Sequence, residues 1–509
     1  MTEHPRLRRG ARIGGGVLGL AVLGGVVAAG TILPLPAVDR TPPSSLITPE
    51  ATGQQRLCPG GLIGIGAGGS ATATSFLASP SATAGTSTGE GPGVNRIAVP
   101  DVASEGGPDG SPFVLTAPGT AEGDPLLLAG GQSQVVNAGE SVGFSATACA
   151  EASSDGWLAA GSTVVGRTSI LLLSNPSAVT ATVDLTIFGE EGPVSAPGSA
   201  GISIVAGAQR IIPLAGLAPD IASPVVRVQS TGGQVVAALQ SSVVRGLEPG
   251  GVELTGLTAG PGLTQVLPGL RVSAAAGDAA VDPAAPPAPP EAGGDAAAGG
   301  TPPAPAEESD GSDTETALRV FVPGNEDAVL TIGVRAEAGS AGAGLSFPFE
   351  APAGRVTDIP FTEDLAEGLY TVTVESTVPV VASARSSTGG GASAVDLAWF
   401  VAPSGPVSGE TLVAVPQGPD PRVHLLNLGD APVQAVLTPA TPAAEGAAEI
   451  VVDVPAGAPV SAPVVAGTVY RLSSPEPLFG SVTFLGDGQL SAFPINPGNP
   501  SASPLRVYP

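Results

Sequence analysis

Lysine is absent from this chain, and all 19 of its basic residues are arginine. Histidine, cysteine and tryptophan occur twice each, methionine once, and aromatic residues make up 3% of the sequence. So few imidazoles and thiols provide no His/Cys cluster for a metal, and no metal site or cofactor is expected. A core without large rings must be filled by Ala, Val and Leu. Each of these buries little area, so the sequence calls for many strands instead of a few bulky anchors. The missing lysine reads as codon bias in a GC-rich genome such as an actinobacterium's. Positive charge is scarce overall, with a net charge of −26. Setting aside Glu3 and the N-terminal Arg6, Arg8, Arg9 and Arg12 leaves 44 acids against 15 bases. A field of that sign repels phosphate backbones, so nucleic acid is excluded as an expected partner.

What is abundant is small and apolar. Glycine (73) and proline (54) sit beside 42% hydrophobic residues and a mean hydropathy of +0.32. That is enough apolar material for a packed core in most of a chain of 509 residues, which has room for three or four domains.

Residues Ile13 to Leu33 form 21 uncharged residues, IGGGVLGLAVLGGVVAAGTIL, after the four arginines and before Pro34 and Pro36. That length suits a helix crossing a hydrocarbon core, and the flanking arginines place residues 1–12 in the cytoplasm as a stub. The expected address is a cell membrane, crossed once, with the bulk of the chain extracytoplasmic. The alternative is secretion after cleavage near Val27-Ala28-Ala29. Cys58 and Cys149 then fall in an oxidising compartment, where two lone cysteines are best read as one disulfide.

Beyond the anchor the chain alternates. In Thr182-Val-Asp-Leu-Thr-Ile-Phe188 and Tyr370-Thr-Val-Thr-Val-Glu375, apolar and polar residues take turns, the period of a half-buried strand. Residues 272–316 are Ala/Pro/Gly-rich and acidic, without either period, and read as a disordered linker. An internal repeat runs through the rest. A strand ends at an asparagine turn in LLLSNPS (Asn175), VFVPGNE (Asn325) and HLLNLGD (Asn427). Ala-Gly follows at Ala206-Gly207, Ala353-Gly354 and Ala456-Gly457. With the linker subtracted, the period is close to 100 residues, the size of an immunoglobulin-like β-sandwich. The expected fold is all-β, with tandem immunoglobulin-like β-sandwich modules at 161–271, 317–405 and 411–509. Before them lies a β-rich region at 46–160 that carries the cysteine pair. A β-propeller-like repeat is the alternative.

Arg56-Leu-Cys-Pro-Gly60, Cys149, Trp157-Leu-Ala-Ala-Gly161, Gly166-Arg167 and Leu173-Ser-Asn-Pro176 resemble an actinobacterial exported family, domain of unknown function 5719. The resemblance implies a membrane-anchored or secreted protein with the cysteine pair, and it brings no active site.

The motifs that could carry chemistry lack their context. Gly64-Ile-Gly-Ala-Gly-Gly69 matches G-x-G-x-x-G but is followed by SATATSFLAS, not by a helix that could hold a pyrophosphate. Gly85-Thr-Ser-Thr-Gly89 matches G-x-S-x-G in a Ser/Thr/Gly-rich stretch. His424, the one histidine past the anchor, reads as a half-buried strand residue. The acidic run Glu307, Glu308, Asp310, Asp313 and Glu315 lacks EF-hand spacing. Trp157 and Trp399 sit beside apolar strands and read as core, with glycan stacking as the other option. No catalytic residue is assigned. The expectation is a non-enzymatic envelope scaffold with a protein partner. A cell-wall glycan-binding or adhesive module is the alternative, and a glycan-processing enzyme ranks below both.

Overall fold

In the computed structural model, the described residues are 45–47, 53–65, 74–87, 95–98, 110–118, 126–138, 141–273, 315–338, 340, 342, 344–361, 365–389, 396–440, 444–486, 488–498 and 505–507. The expected anchor at Ile13–Leu33 and nearly all of the acidic segment lie outside them. Among the described residues no helix is long and apolar enough to cross a membrane. Two compact units are separable. One contains the antiparallel pair Ser45–Ile47 and Leu505–Val507. The other, Glu50–Ala502, holds the rest of the described chain and is almost entirely strand.

Within the larger unit one pairing scheme occurs three times. In the first repeat, Asp155–Leu158 pairs with Val225–Gly232, which pairs with Ala181–Gly189. A second sheet runs Ala208–Pro213, Arg167–Asn175, Val236–Arg245, Glu248–Thr255. The second repeat places Gly262–Val272 against the front of Gly368–Ser387, then Ala328–Ala336 and Leu345–Ala351. Its other sheet is Val356–Pro360, Ala317–Phe321, the back of Gly368–Ser387, and Leu397–Val401. The third repeat reproduces this with Val407–Val415, Thr468–Gly486, Val433–Pro439 and Ile450–Val454. Its second sheet is Pro459–Pro463, Arg422–Leu426, the back of Thr468–Gly486, and Gln489–Ile495.

Alternation fixes these sheets. Along Ala181–Gly189 every second side chain is buried, and Val183, Leu185 and Ile187 meet Leu171, Leu173 and Leu239 of the facing sheet in one core. Fully burying each such side chain is worth about 1.5–3 kcal/mol.

The turn that marks each repeat is a glycine in left-handed backbone whose N–H closes on the end of a strand. Gly207 donates to Asn175 O, Gly354 to Val322 O and Gly457 to Asn427 O, with φ of 67°, 71° and 65°. Two of these positions are asparagines. Asn175 Nδ2 donates to Val179 O and Ile204 O, and Asn427 Nδ2 donates to Ala431 O. In the second repeat the position belongs to Val322, which is buried, while Asn325 is exposed. The repeat therefore keeps the glycine and the strand end but not the asparagine. Asn325 is a loop residue that happens to fall nearby.

The repeat boundaries also differ from those expected at 161 and 272. Asp155–Leu158 belongs to the first repeat, and Gly262–Val272 already belongs to the second. The acidic segment therefore interrupts the second repeat and does not separate two repeats. Its two ends meet. Ser273 Oγ donates to Ser387 O, Ser386 Oγ donates to Arg271 O, and Thr316 Oγ1 lies 3.4 Å from Ser386 Oγ.

The region before the repeats closes the arrangement. Its sheet Ser81–Thr86, Leu128–Ala138, Ser141–Ala148 pairs in the manner of the last strands of a repeat. Junctions between neighbours use one recurring link, a strand serine donating to a carbonyl of the preceding repeat. Ser383 Oγ reaches Ala159 O, Ser481 Oγ reaches Pro268 O, and Ser133 Oγ of the N-terminal sheet reaches Gln417 O of the third repeat. The fourth junction differs: Gln240 takes Ile63 N at 2.7 Å and gives to Ile63 O at 2.8 Å. Consequently Ser141–Ala148, Glu248–Thr255, Leu397–Val401 and Gln489–Ile495 pack in a closed cycle of four strands.

Candidate functional site

The centre of that cycle is a carboxylate. Asp396, fully buried, accepts backbone N–H bonds from Phe144 (2.8 Å), Val252 (3.2 Å), Leu397 (3.0 Å) and Leu490 (3.1 Å), one from each closing strand. Glycine is required next to two of these donors. A Cβ on Gly143 would lie 2.4 Å from Asp396 Oδ1, and one on Gly251 would lie 2.6 Å from Leu397 N. Glu253 lies beside it, also buried. Its Oε1 accepts from Leu254 N (2.9 Å) and lies 3.2 and 3.1 Å from the hydroxyls of Ser145 and Ser491, while Oε2 has no partner. Burial pushes both carboxyls well above the ordinary range, and the charge of Asp396 pushes Glu253 further. Four N–H donors oppose this at Asp396, so the charge resides there and the proton on Glu253.

Along the same strands, past their C-terminal ends, lies a cavity of about 520 Å³. Thr147–Ala150, Gly256–Thr258, Ser404 and Phe493–Gly498, which end or follow the four closing strands, contribute to its wall. Cys149 lines it too, bonded to Cys58 as expected. The charged wall comes from Arg56, Glu151 and Asp155. Arg56 is ion-paired with Glu151, and Asp155 is held by Arg227 through two bonds of 3.0 and 2.6 Å. Trp157 forms part of the wall, 6% exposed, with the Arg227 guanidinium 5.3 Å from its ring centre.

The other sequence motifs fall elsewhere. His424 is fully buried, its Nδ1 2.8 Å from Glu337 Oε1 and its Nε2 2.7 Å from Thr483 Oγ1. The order acid–imidazole–hydroxyl is that of a catalytic relay. All three groups are sealed between the second and third repeats, however, and a Cβ on Gly269 would sit 2.7 Å from the imidazole. Burial acts upward on Glu337, yet the adjoining His424 outweighs it and holds the carboxyl below its ordinary value. By strand register His424 occupies the place of Arg319 and Leu172. Arg319 has an equivalent task, binding Gly161 O, Pro224 O, Ala222 O and both Asp358 oxygens across the junction of the first two repeats. Its guanidinium lies 4.5 Å from the ring centre of Trp399, which is 3% exposed and therefore no stacking platform. Gly85 and Thr86 lie in the strand Ser81–Thr86, not at a strand-to-helix turn. Gly64 follows Ile63 in a short strand, and the remainder of its motif lies outside the described residues, as does nearly all of the acidic run. Among the described residues no group of three His, Cys, Asp or Glu side chains could hold a metal.

A family model described as a family of unknown function, DUF5719, matches residues 102–464, which span the four closing strands up to the last repeat. The chain belongs to that family. The match to DUF5719 takes in Cys149, Trp157, Glu253 and Asp396, and it stops short of the last closing strand. Arg56 and Cys58 precede it. No curated protein matches this DUF5719 chain. The crystal structure of Thermotoga maritima 1070 aligns over 28% of this chain and 93% of its own, at 13% identity and a TM-score of 0.19, a likeness too low to define a common fold.

Proposed function

We propose that this DUF5719 protein is an extracytoplasmic envelope component that acts by binding and not by catalysis. In this reading Ile13–Leu33 anchors it in the cell membrane of an actinobacterium, and the repeats are immunoglobulin-like sandwiches fused into one platform. The observation that carries the reading is the four-strand closure around Asp396. It fixes the repeats rigidly and leaves their strand ends gathered around one open cavity, an arrangement suited to recognition. Titratable groups that could serve catalysis, His424–Glu337 and Glu253–Asp396, are consumed in joining repeats.

The test is native membrane extraction of the tagged full chain in mild detergent, with protease shaving of intact cells. The expected result is cleavage from outside together with a stoichiometric envelope partner. Recovery from the soluble cytosolic fraction, alone and protected from protease, would overturn the proposal. A second reading, recognition of a cell-wall glycan, draws on the cavity and not on exposed tryptophans. Retention of the purified chain on wall polysaccharide is the measurement that supports it.

A further inference from the structure

The axial cavity carries a more specific conclusion, which rests on the binding reading above. Its volume falls within the range of small-ligand sites, about 300–1,000 Å³. What distinguishes it is an excess of donors. Among the described residues Arg56 donates only through Nη1, to Gln55 O and Glu151, which leaves Nε–H and Nη2 without a protein acceptor on a side chain 12% exposed. Asn496 Oδ1 accepts from Ser404 N at 2.8 Å, which orients the amide and leaves its NH₂ without a partner. The Trp157 indole N–H likewise makes no hydrogen bond among the described residues. Three uncommitted donor groups on one wall call for a ligand rich in oxygen acceptors.

The charge of that ligand follows from the neighbours. Glu151 and Asp155 lie in the same wall, each already held by an arginine. An anion would be attracted to Arg56 and repelled by two carboxylates, whereas a neutral ligand incurs no such repulsion. Hydroxyl groups suit this wall better than carbonyls alone, because each can accept from the free donors and also donate to a carboxylate. The indole adds an apolar face of the kind that sugar rings cover.

We infer that the axial cavity is a binding site for a neutral, hydroxyl-rich ring ligand of one or two sugar units. Arg56, Asn496 and Trp157 serve as donors to its oxygens. The wall draws on the N-terminal sheet and all three repeats, so the site exists only when the cycle is closed. Ligand binding and closure are therefore coupled.

The experiment is titration of the full chain in detergent with maltose, cellobiose and diacetylchitobiose, and with glucuronate and inorganic phosphate as anionic probes. It is followed by isothermal calorimetry and by tryptophan fluorescence. Trp399 is sealed in the interior, so a change on binding reports Trp157. Saturable binding of at least one neutral disaccharide in the millimolar range or tighter, with a rise in melting temperature, is expected. Arg56→Gln and Asn496→Ala should each weaken it about tenfold, the loss of one or two hydrogen bonds. Trp157→Phe should abolish the fluorescence change while heat of binding persists. Circular dichroism identifies a variant that has simply failed to fold, and Asn496→Ala, on the rim, keeps the comparison usable if Arg56→Gln is such a case. No saturation by any neutral sugar, saturation by the anions instead, or affinities untouched in both variants would overturn the assignment. None of those outcomes bears on whether the protein faces outward and holds a protein partner, which the membrane extraction decides separately.

Discussion

At the residue scale the interior is organised by a few charged side chains that hold strands of different repeats together. Glu253 is the most informative by titration. Its folded pKa is raised, so it favours folding below the unfolded value near 4.3, and that contribution is lost as the pH rises toward the folded value. Glu253→Gln keeps the carbonyl oxygen and removes the titration. The variant should match the wild type near pH 4 and exceed it in melting temperature at pH 8, as calorimetry at the two values would reveal. A constant offset at both would refute the assignment of the proton. Glu337 has the opposite sign: its folded pKa is lowered, so its contribution is present above about pH 4.3 and lost as the pH falls through the folded value. His424→Leu, which puts the side chain of the first repeat's Leu172 in this place, leaves Glu337 buried without its partner. A cost of about 3–5 kcal/mol in urea unfolding is expected, and the double variant His424→Leu, Glu337→Met should recover part of it. Of these residues the sequence makes His424 conspicuous but hides its role, because Glu337 lies 87 positions away. Arg319 and Asp396 offer no local signal at all: a lone arginine in a strand and a lone aspartate before one look like surface residues until distant backbone is brought to them.

At the scale of elements, alternation was legible because it is local. The period of two in Ala181–Gly189 is printed in the residues themselves, and the burial follows it position by position. Strand ends were less legible. Gly207, Gly354 and Gly457 recur because left-handed backbone penalises other residues. The asparagine beside them is optional, since Val322 ends its strand without a side-chain bond, and reading the repeat from asparagine therefore misplaced its middle copy. The acidic segment was misread for a related reason: composition reveals where chain leaves a sheet but not to which strand it returns. Both its ends lie at Ser386–Ser387, so nothing in the described fold depends on its length. Replacing the chain between Ser273 and Glu315 with a short Gly/Ser connection should shift the melting temperature by no more than a degree or two. A loss on the order of 1 kcal/mol or greater in chemical denaturation would mean that the segment contributes contacts of its own.

For the whole molecule the decisive property is closure. Repeats joined by Ser383, Ser481, Ser133 and Gln240 have no free end at which unfolding can start, unlike an open array whose terminal repeats fray first. One cooperative transition is expected for the larger unit, with calorimetric and van't Hoff enthalpies in agreement. The Cys58–Cys149 bond ties the N-terminal strand Gln54–Cys58 to the chain just past the closing strand Ser141–Ala148, over a separation of 91 residues. In the chain-entropy model its reduction should cost up to roughly 4–5 kcal/mol. If closure is the source of cooperativity, the Cys58→Ser, Cys149→Ser variant should show a second, earlier transition. A single transition merely shifted to lower temperature would place that source in the individual repeats.

The carboxylate of Asp396 also bears on how such a chain could have arisen. Four near-equivalent strands meet around it, yet only one of them brings an acid, and the neighbouring Glu253 is already driven to hold its proton. A symmetric ancestor built from identical copies would have crowded four negative charges into a space that tolerates one. Divergence of the repeats at this point was therefore a condition for merging them into one chain, and the order in which they follow one another can no longer be shuffled.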